Sequence, residues 1–90
     1  MKRYFIIFIG RVQGVGFRYF AYKTALSLSL TGSVRNVPNG QVECEVQGSE
    51  EALENFLSKV LRGNGFLKVD DYALKELPLQ KEERAFRIDP

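Results

Sequence analysis

Histidine is absent from this 90-residue sequence, and cysteine occurs once, at Cys44. Without imidazole, the commonest general base near neutral pH and the commonest metal ligand are both missing. A single cysteine excludes an internal disulfide framework and suits a reducing compartment. Neither charge sign dominates: 13 basic against 11 acidic residues leave a net charge of +2, far from the strongly basic footprint of a nucleic-acid binder. No apolar run approaches bilayer-spanning length. The apolar stretch after Met1-Lys2-Arg3 runs into Gly10-Arg11-Val12-Gln13 rather than into small residues at a cleavage site, so a signal peptide is not expected. These absences predict a cytoplasmic chain with no membrane and no nucleic-acid partner. The length predicts a single domain, residues 1–90, with room for one core.

What is present centres on Gly10-Arg11-Val12-Gln13-Gly14-Val15-Gly16-Phe17-Arg18. It lies between an apolar run, Tyr4–Ile9, and an amphipathic run from Phe17 to Leu30, so it reads as a strand-to-helix loop. Glycines permit positive φ and let a ligand approach the backbone, so successive N–H groups can converge on one point. The helix start adds unpaired N–H groups and the positive end of a dipole. Arg18 adds a permanently charged planar fork of donors that matches phosphate oxygens. The pattern predicts a phosphate cradle.

The remaining elements follow from periodicity. Arg3–Val12 is apolar on both alternations, as a strand covered on both faces would be. Phe17, Phe20, Ala21, Thr24, Ala25 and Leu28 keep helical spacing, and Thr31-Gly32 is expected to close that helix before a strand at Ser33–Val37. Pro38-Asn39-Gly40 signals a hairpin turn. Gln41–Gln47 alternates, with Val42, Cys44 and Val46 inward and Glu43, Glu45 and Gln47 on a more open face. Ser49 is an expected N-cap for a helix bearing Leu53, Phe56, Leu57, Val60 and Leu61, stopped by Gly63. Lys68–Leu77 reads as a strand whose alternation Asp70-Asp71 interrupt, so a bulge or an irregular start is expected. Arg84–Ile88 reads as a short last strand with Phe86 and Ile88 inward. The predicted fold class is α+β: a ferredoxin-like split βαβ, β-α-β-β-α-β plus a short C-terminal strand. Crossover handedness places both helices on one face of a mainly antiparallel sheet.

Asn36 stands just before the hairpin turn. Its amide can orient a water molecule but cannot act as a base or nucleophile. A cradle, an arginine and a water-positioner suit a substrate whose leaving group needs no acid. An acyl phosphate is such a substrate, since it departs as a carboxylate whose conjugate acid has a pKa of about 4. Phosphoryl transfer otherwise depends on positioning and charge stabilisation.

At the level of motifs, Gly10–Arg18 with Tyr19-Phe20 resembles the signature of the acylphosphatase family. Thr31-Gly32-Ser33-Val34-Arg35-Asn36, followed by Asn39-Gly40-Gln41-Val42-Glu43, resembles that family's second signature. The resemblance spans nearly the whole chain. It implies a metal-free hydrolase of acyl phosphates with no cofactor, in which Arg18 and Asn36 are catalytic and Gln13, Gly14, Val15, Gly16, Phe17 and Arg18 hold the phosphoryl group. The partners it implies are the acyl phosphate and inorganic phosphate, and a monomer is expected. Ser33 stands where the family commonly has a bulky aromatic, Ser29 where glycine is frequent, and Arg62-Gly63-Asn64-Gly65 replaces a usual Gly-Pro turn. Two other functions fit the fold. A non-catalytic module binding phosphate or carbamoyl phosphate would keep the loop. An RNA-binding domain would use the open sheet face, where Glu43 and Glu45 would repel a phosphate backbone.

Overall fold

The computed structural model describes residues 1–14 and 16–90. Seven elements follow one another: β1 (Lys2–Arg11), α1 (Phe17–Ser27), β2 (Thr31–Asn36), β3 (Val42–Gly48), α2 (Glu50–Arg62), β4 (Lys68–Leu77) and β5 (Phe86–Ile88). The five strands form one sheet in the order β4-β1-β3-β2-β5. Every pairing is antiparallel except β2 with β5, which is parallel. This is the ferredoxin-like arrangement with one added edge strand, as the periodicity predicts.

Both helices cover one face of the sheet. Ile6 and Phe8 of β1, Val34 of β2, and Val42, Cys44 and Val46 of β3 meet Phe17, Ala21 and Ala25 of α1 and Leu53, Phe56 and Val60 of α2 in a single core. The small residues of α1 let its backbone lie close to the sheet, while α2 contributes larger side chains. Thr24 is buried on the same face, and its hydroxyl is satisfied by donating to the Phe20 carbonyl at 2.8 Å. Cys44 is buried in this core, and burial raises its thiol well above the ordinary range, so it serves as packing.

Helix α2 starts and stops as expected: Ser49 Oγ accepts from Ala52 N–H at 3.1 Å, and Gly63 ends it at φ 72°. Helix α1 ends earlier than expected, and Thr31-Gly32 does not close it. Ser29 adopts φ 57°, Ser29 N–H bonds Leu26 O at 3.1 Å and Leu30 N–H bonds Ala25 O at 3.0 Å. That is a Schellman ending with serine in the left-handed position that glycine usually fills. Gly32 instead lies inside β2. A Cβ there would sit 1.9 Å from the Glu45 carbonyl oxygen, so the glycine serves strand contact rather than helix termination. The first strand stops at Arg11, one residue short of its expected end, β3 begins at Val42, and β5 begins only at Phe86.

The bulge in β4 is where the acidic pair predicts it. Ile9 pairs with Asp71 and Gly10 with Val69, leaving Asp70 as the extra residue. Gly10 faces it at φ 134°, with no room for a Cβ beside Lys68 O and Asp70 N.

The far face of the sheet is less open than its alternation suggests, because the segment between β4 and β5 folds over one end of it. Gln47 is buried and exchanges bonds with the Gln80 backbone, at 2.8 Å from Gln80 N–H and 3.1 Å to Gln80 O. Arg3, only 4% exposed, donates to Glu83 at 2.8 Å and to Glu45 at 3.0 Å. Burial pushes the Glu83 carboxyl up, but the Arg3 guanidinium overrides it and holds the group below its ordinary range.

Two expectations follow. Replacing Ser29 with glycine removes left-handed strain and should stabilise the protein by about 0.5–1 kcal/mol, read as a rise in urea midpoint. Arg3→Ala strands a buried carboxylate and should cost about 3 kcal/mol at neutral pH. Because the folded Glu83 value is lowered, its contribution is present above the ordinary 4.5 and is lost as pH falls through the lowered value. Stability of Arg3→Ala measured against pH should therefore show a flatter acid limb than the wild type.

Candidate active site

The loop between β1 and α1, the start of α1, the end of β2 and the end of β5 meet around a cavity of about 250 Å³. Its walls include Gly14, Gly16, Arg18, Tyr19, Asn36 and Ile88. Both residues expected to be catalytic therefore face one hollow, together with two of the loop glycines.

Each side chain arrives there for a local reason. Phe17 is fully buried and its ring packs on Phe8 at 5.2 Å between centroids, which anchors the first turn of α1 to β1. Gly14 and Gly16 take φ 75° and 79°, turning the loop so that the helix begins over the cavity. Gly16 is the N-cap of α1 and makes no side-chain cap, and no acidic residue occupies the first turn. Among the described residues no side chain caps the N–H groups of that turn, where the positive end of the helix dipole lies. Arg18, in the same turn, donates from Nη1 to the Asp89 carbonyl at 2.8 Å. Asp89 is itself held, its N–H bonding Val34 O at 2.9 Å. One donor of the guanidinium is fixed by the chain after β5, and the fork is presented in a set orientation.

Asn36 closes β2, opposite Val42 of β3, on the face that the helices cover. Its Oδ1 is buried, and no donor among the described residues reaches it. A buried acceptor without a protein partner is rare and costly, and here it belongs to a side chain lining the cavity. It is an acceptor available to the O–H of a water molecule.

The expected cradle residues divide by role. Gly14, Gly16 and Arg18 line the cavity. Phe17 also borders it, but its ring is core, so only its N–H can serve a ligand. Gln13 does not line the cavity: its Nε2 donates to Val37 O and Gln41 O, each at 2.7 Å. Val15 lies outside the described residues. Tyr19, 59% exposed, and Ile88, 40% exposed, border the opening. Tyr22, further along α1, packs on Phe86 at 6.3 Å between ring centroids. Sequence reasoning did not find Asp89, because a backbone carbonyl carries no residue signature, and it placed Ile88 in the core rather than at the cavity wall.

Ser33 faces away from this cavity. It borders a larger hollow of about 470 Å³ on the opposite side of the sheet, where Arg35 pairs with Glu43 at 2.7 Å and Arg87 with Asp89 at 3.4 Å. Those charges are spent on one another. The turn after α2 is also remote from the cavity, and Asn64 orders it by accepting from Phe66 N–H at 3.0 Å. Among the described residues, no carboxylate lines the small cavity, and no group of three His, Cys, Asp or Glu is placed to hold a metal ion. Among the described residues, no helix is long and apolar enough to cross a membrane.

A ferredoxin-like domain with a glycine-bearing first loop, an arginine in the first turn of α1 and an asparagine at its second strand's end is the class that these features define. The family model for acylphosphatase matches residues 4–88, and the chain belongs to the acylphosphatase family. It is 53% identical over 88 residues to an acylphosphatase of Clostridium beijerinckii, covering 98% of each chain. Its structure matches that of an acylphosphatase from Bacillus subtilis with a TM-score of 0.94 at 41% identity, covering 100% of both. It also matches 12% of the T. kodakarensis HypF chain, with a TM-score of 0.87 and 35% identity over all of this one.

Gly16 offers a direct test of the loop. A Cβ there meets nothing within 4 Å, so alanine fits in space but not in φ. Gly16→Ala should cost about 1–2 kcal/mol of stability and weaken the binding of inorganic phosphate in a calorimetric titration.

Proposed function

We propose that this chain hydrolyses acyl phosphates to a carboxylate and inorganic phosphate, without a metal ion or other cofactor. The observation that carries the reading is the convergence of three groups on one cavity: the uncapped start of α1, the Arg18 fork, and the unpartnered Asn36 Oδ1. The names of its relatives support the same activity. In this reading residues 1–90 act as one monomeric domain in the cytoplasm, with no nucleic-acid or membrane partner.

The N–H groups of the loop and of the first turn of α1 take the phosphoryl oxygens, and Arg18 neutralises the charge that builds there. Asn36 accepts one water hydrogen, which turns a lone pair of the water toward phosphorus, opposite the acyl oxygen. The water oxygen bonds phosphorus as the bond from phosphorus to the acyl oxygen breaks. The carboxylate leaves with that electron pair and needs no proton. The second water hydrogen passes to a phosphoryl oxygen, so an acyl phosphate dianion yields one carboxylate and dihydrogen phosphate. No side-chain base is required. Tyr19 and Ile88 at the opening leave the acyl group facing outward.

The test is hydrolysis of benzoyl phosphate in chelator, with two variants beside the wild type. Arg18→Ala removes charge-assisted bonds worth about 1.5–3 kcal/mol each and should lose phosphate binding and turnover together. Asn36→Ala should keep phosphate affinity while kcat falls about 100-fold or more. Activity that returns only on adding a metal would reject the metal-free mechanism, and equal loss of phosphate binding in both variants would reject this division of labour.

A further inference from the structure

We propose that Gln13 is the positioning residue that keeps Asn36 in register with the phosphate cradle, a role resting on the function proposed above. The side chain of Gln13 spends both hydrogens of its Nε2 on the hairpin between β2 and β3, one on Val37 O and one on Gln41 O, each at 2.7 Å. Those two carbonyls sit across the mouth of the turn. Val37 N–H donates to the same Gln41 O at 3.0 Å, and Gly40 N–H to the same Val37 O at 3.1 Å. Gln13 therefore pins both sides of the hairpin at once.

Its neighbours in sequence are the reacting parts. Gln13 immediately precedes Gly14, which lines the cavity, and Val37 immediately follows Asn36, which lines it from the other side. The sheet does not join these two segments. The ladder between β1 and β3 ends at Phe8 and Val42, and beyond it β1 pairs with β4 alone. Among the described residues, the bonds of Gln13 are the hydrogen bonds that run from the loop to the hairpin. An error of about 1 Å between nucleophile and phosphorus costs about 100-fold in rate, so a rigid link at this point matters to kcat. A carboxamide is the group the site requires. Glutamate has no donor and would repel both carbonyls, and leucine would fill the space without tying anything.

The experiment compares wild type, Gln13→Leu, Asn36→Ala and the double variant on benzoyl phosphate, with inorganic phosphate affinity from calorimetry. Gln13→Leu should lower kcat about 100-fold while phosphate affinity stays within about twofold. In the Asn36→Ala background the same change should cost about twofold or less, because the water-positioner it aligns is already gone. A kcat for Gln13→Leu within twofold of wild type would overturn the proposal. So would an equal loss of phosphate affinity, or a full multiplicative loss in the double variant. Gln13→Met, which keeps an unbranched stem, replaces Gln13→Leu if the latter does not melt cooperatively. If the wild type itself fails to turn over, the proposed function falls, and the link is then read by NMR. The Asn36 side-chain amide resonances should shift or broaden on Gln13→Leu, and unchanged resonances would reject the link as well.

Discussion

The contact between Phe8 and Phe17 fixes where α1 begins over the sheet. Both rings are fully buried, with centroids 5.2 Å apart, and they join the middle of β1 to the first residue of α1. With those two points fixed, the chain must turn between the end of β1 at Arg11 and the start of α1 at Phe17, which brings that helix start beside the ends of β2 and β5. Buried aromatic pairs contribute area as well as geometry, so this anchor is at once part of the core and the mount of the cradle. Loosening it would move Arg18 and the loop glycines together.

The cavity sets Arg18 and Asn36 beside the buried Val12 and Phe17. Arg18 is held by a carbonyl from the chain after β5, and Asn36 ends β2 at its last ladder position, opposite Val42. Such an arrangement works through orientation, which agrees with a chain that contains no histidine. The titratable groups that the fold does perturb, Arg3 and Glu83 among them, lie elsewhere and serve stability. Separating the two tasks lets the site remain free of buried carboxylates that would repel a phosphate.

The departures from the familiar family pattern also make physical sense once placed. Ser29 occupies a left-handed helix ending, where a short side chain is tolerated at some cost. Ser33 faces the side of the sheet away from the cavity. Asn64 bonds the backbone of its own loop in the turn after α2. None of the three is among the described residues that line the small cavity.

Much of this was legible in the chain. The alternation of Val42, Cys44 and Val46, the stripe from Leu53 to Val60, the Ser49 cap and the acidic bulge at Asp70 are local signals, because period and capping act over a few residues. Gly14, Gly16 and Arg18 were legible for the same reason: a loop that needs positive φ and a charge beside it writes both into contiguous sequence. Other features depended on segments that meet only after folding. Gly32 looked like a helix stop, yet its reason is the Glu45 carbonyl on the neighbouring strand. The burial of Arg3 and Gln47 came from the segment around Gln80 and Glu83 folding across the sheet. The support of Arg18 came from a backbone carbonyl, which no residue type announces. The sequence alone thus established the elements, the loop and the residue types able to hold a phosphate. Tertiary structure alone placed Asn36 in the same cavity as Arg18 and bound Gln13 to the hairpin, because those distances are set by how β1, β2 and β5 are ordered in the sheet.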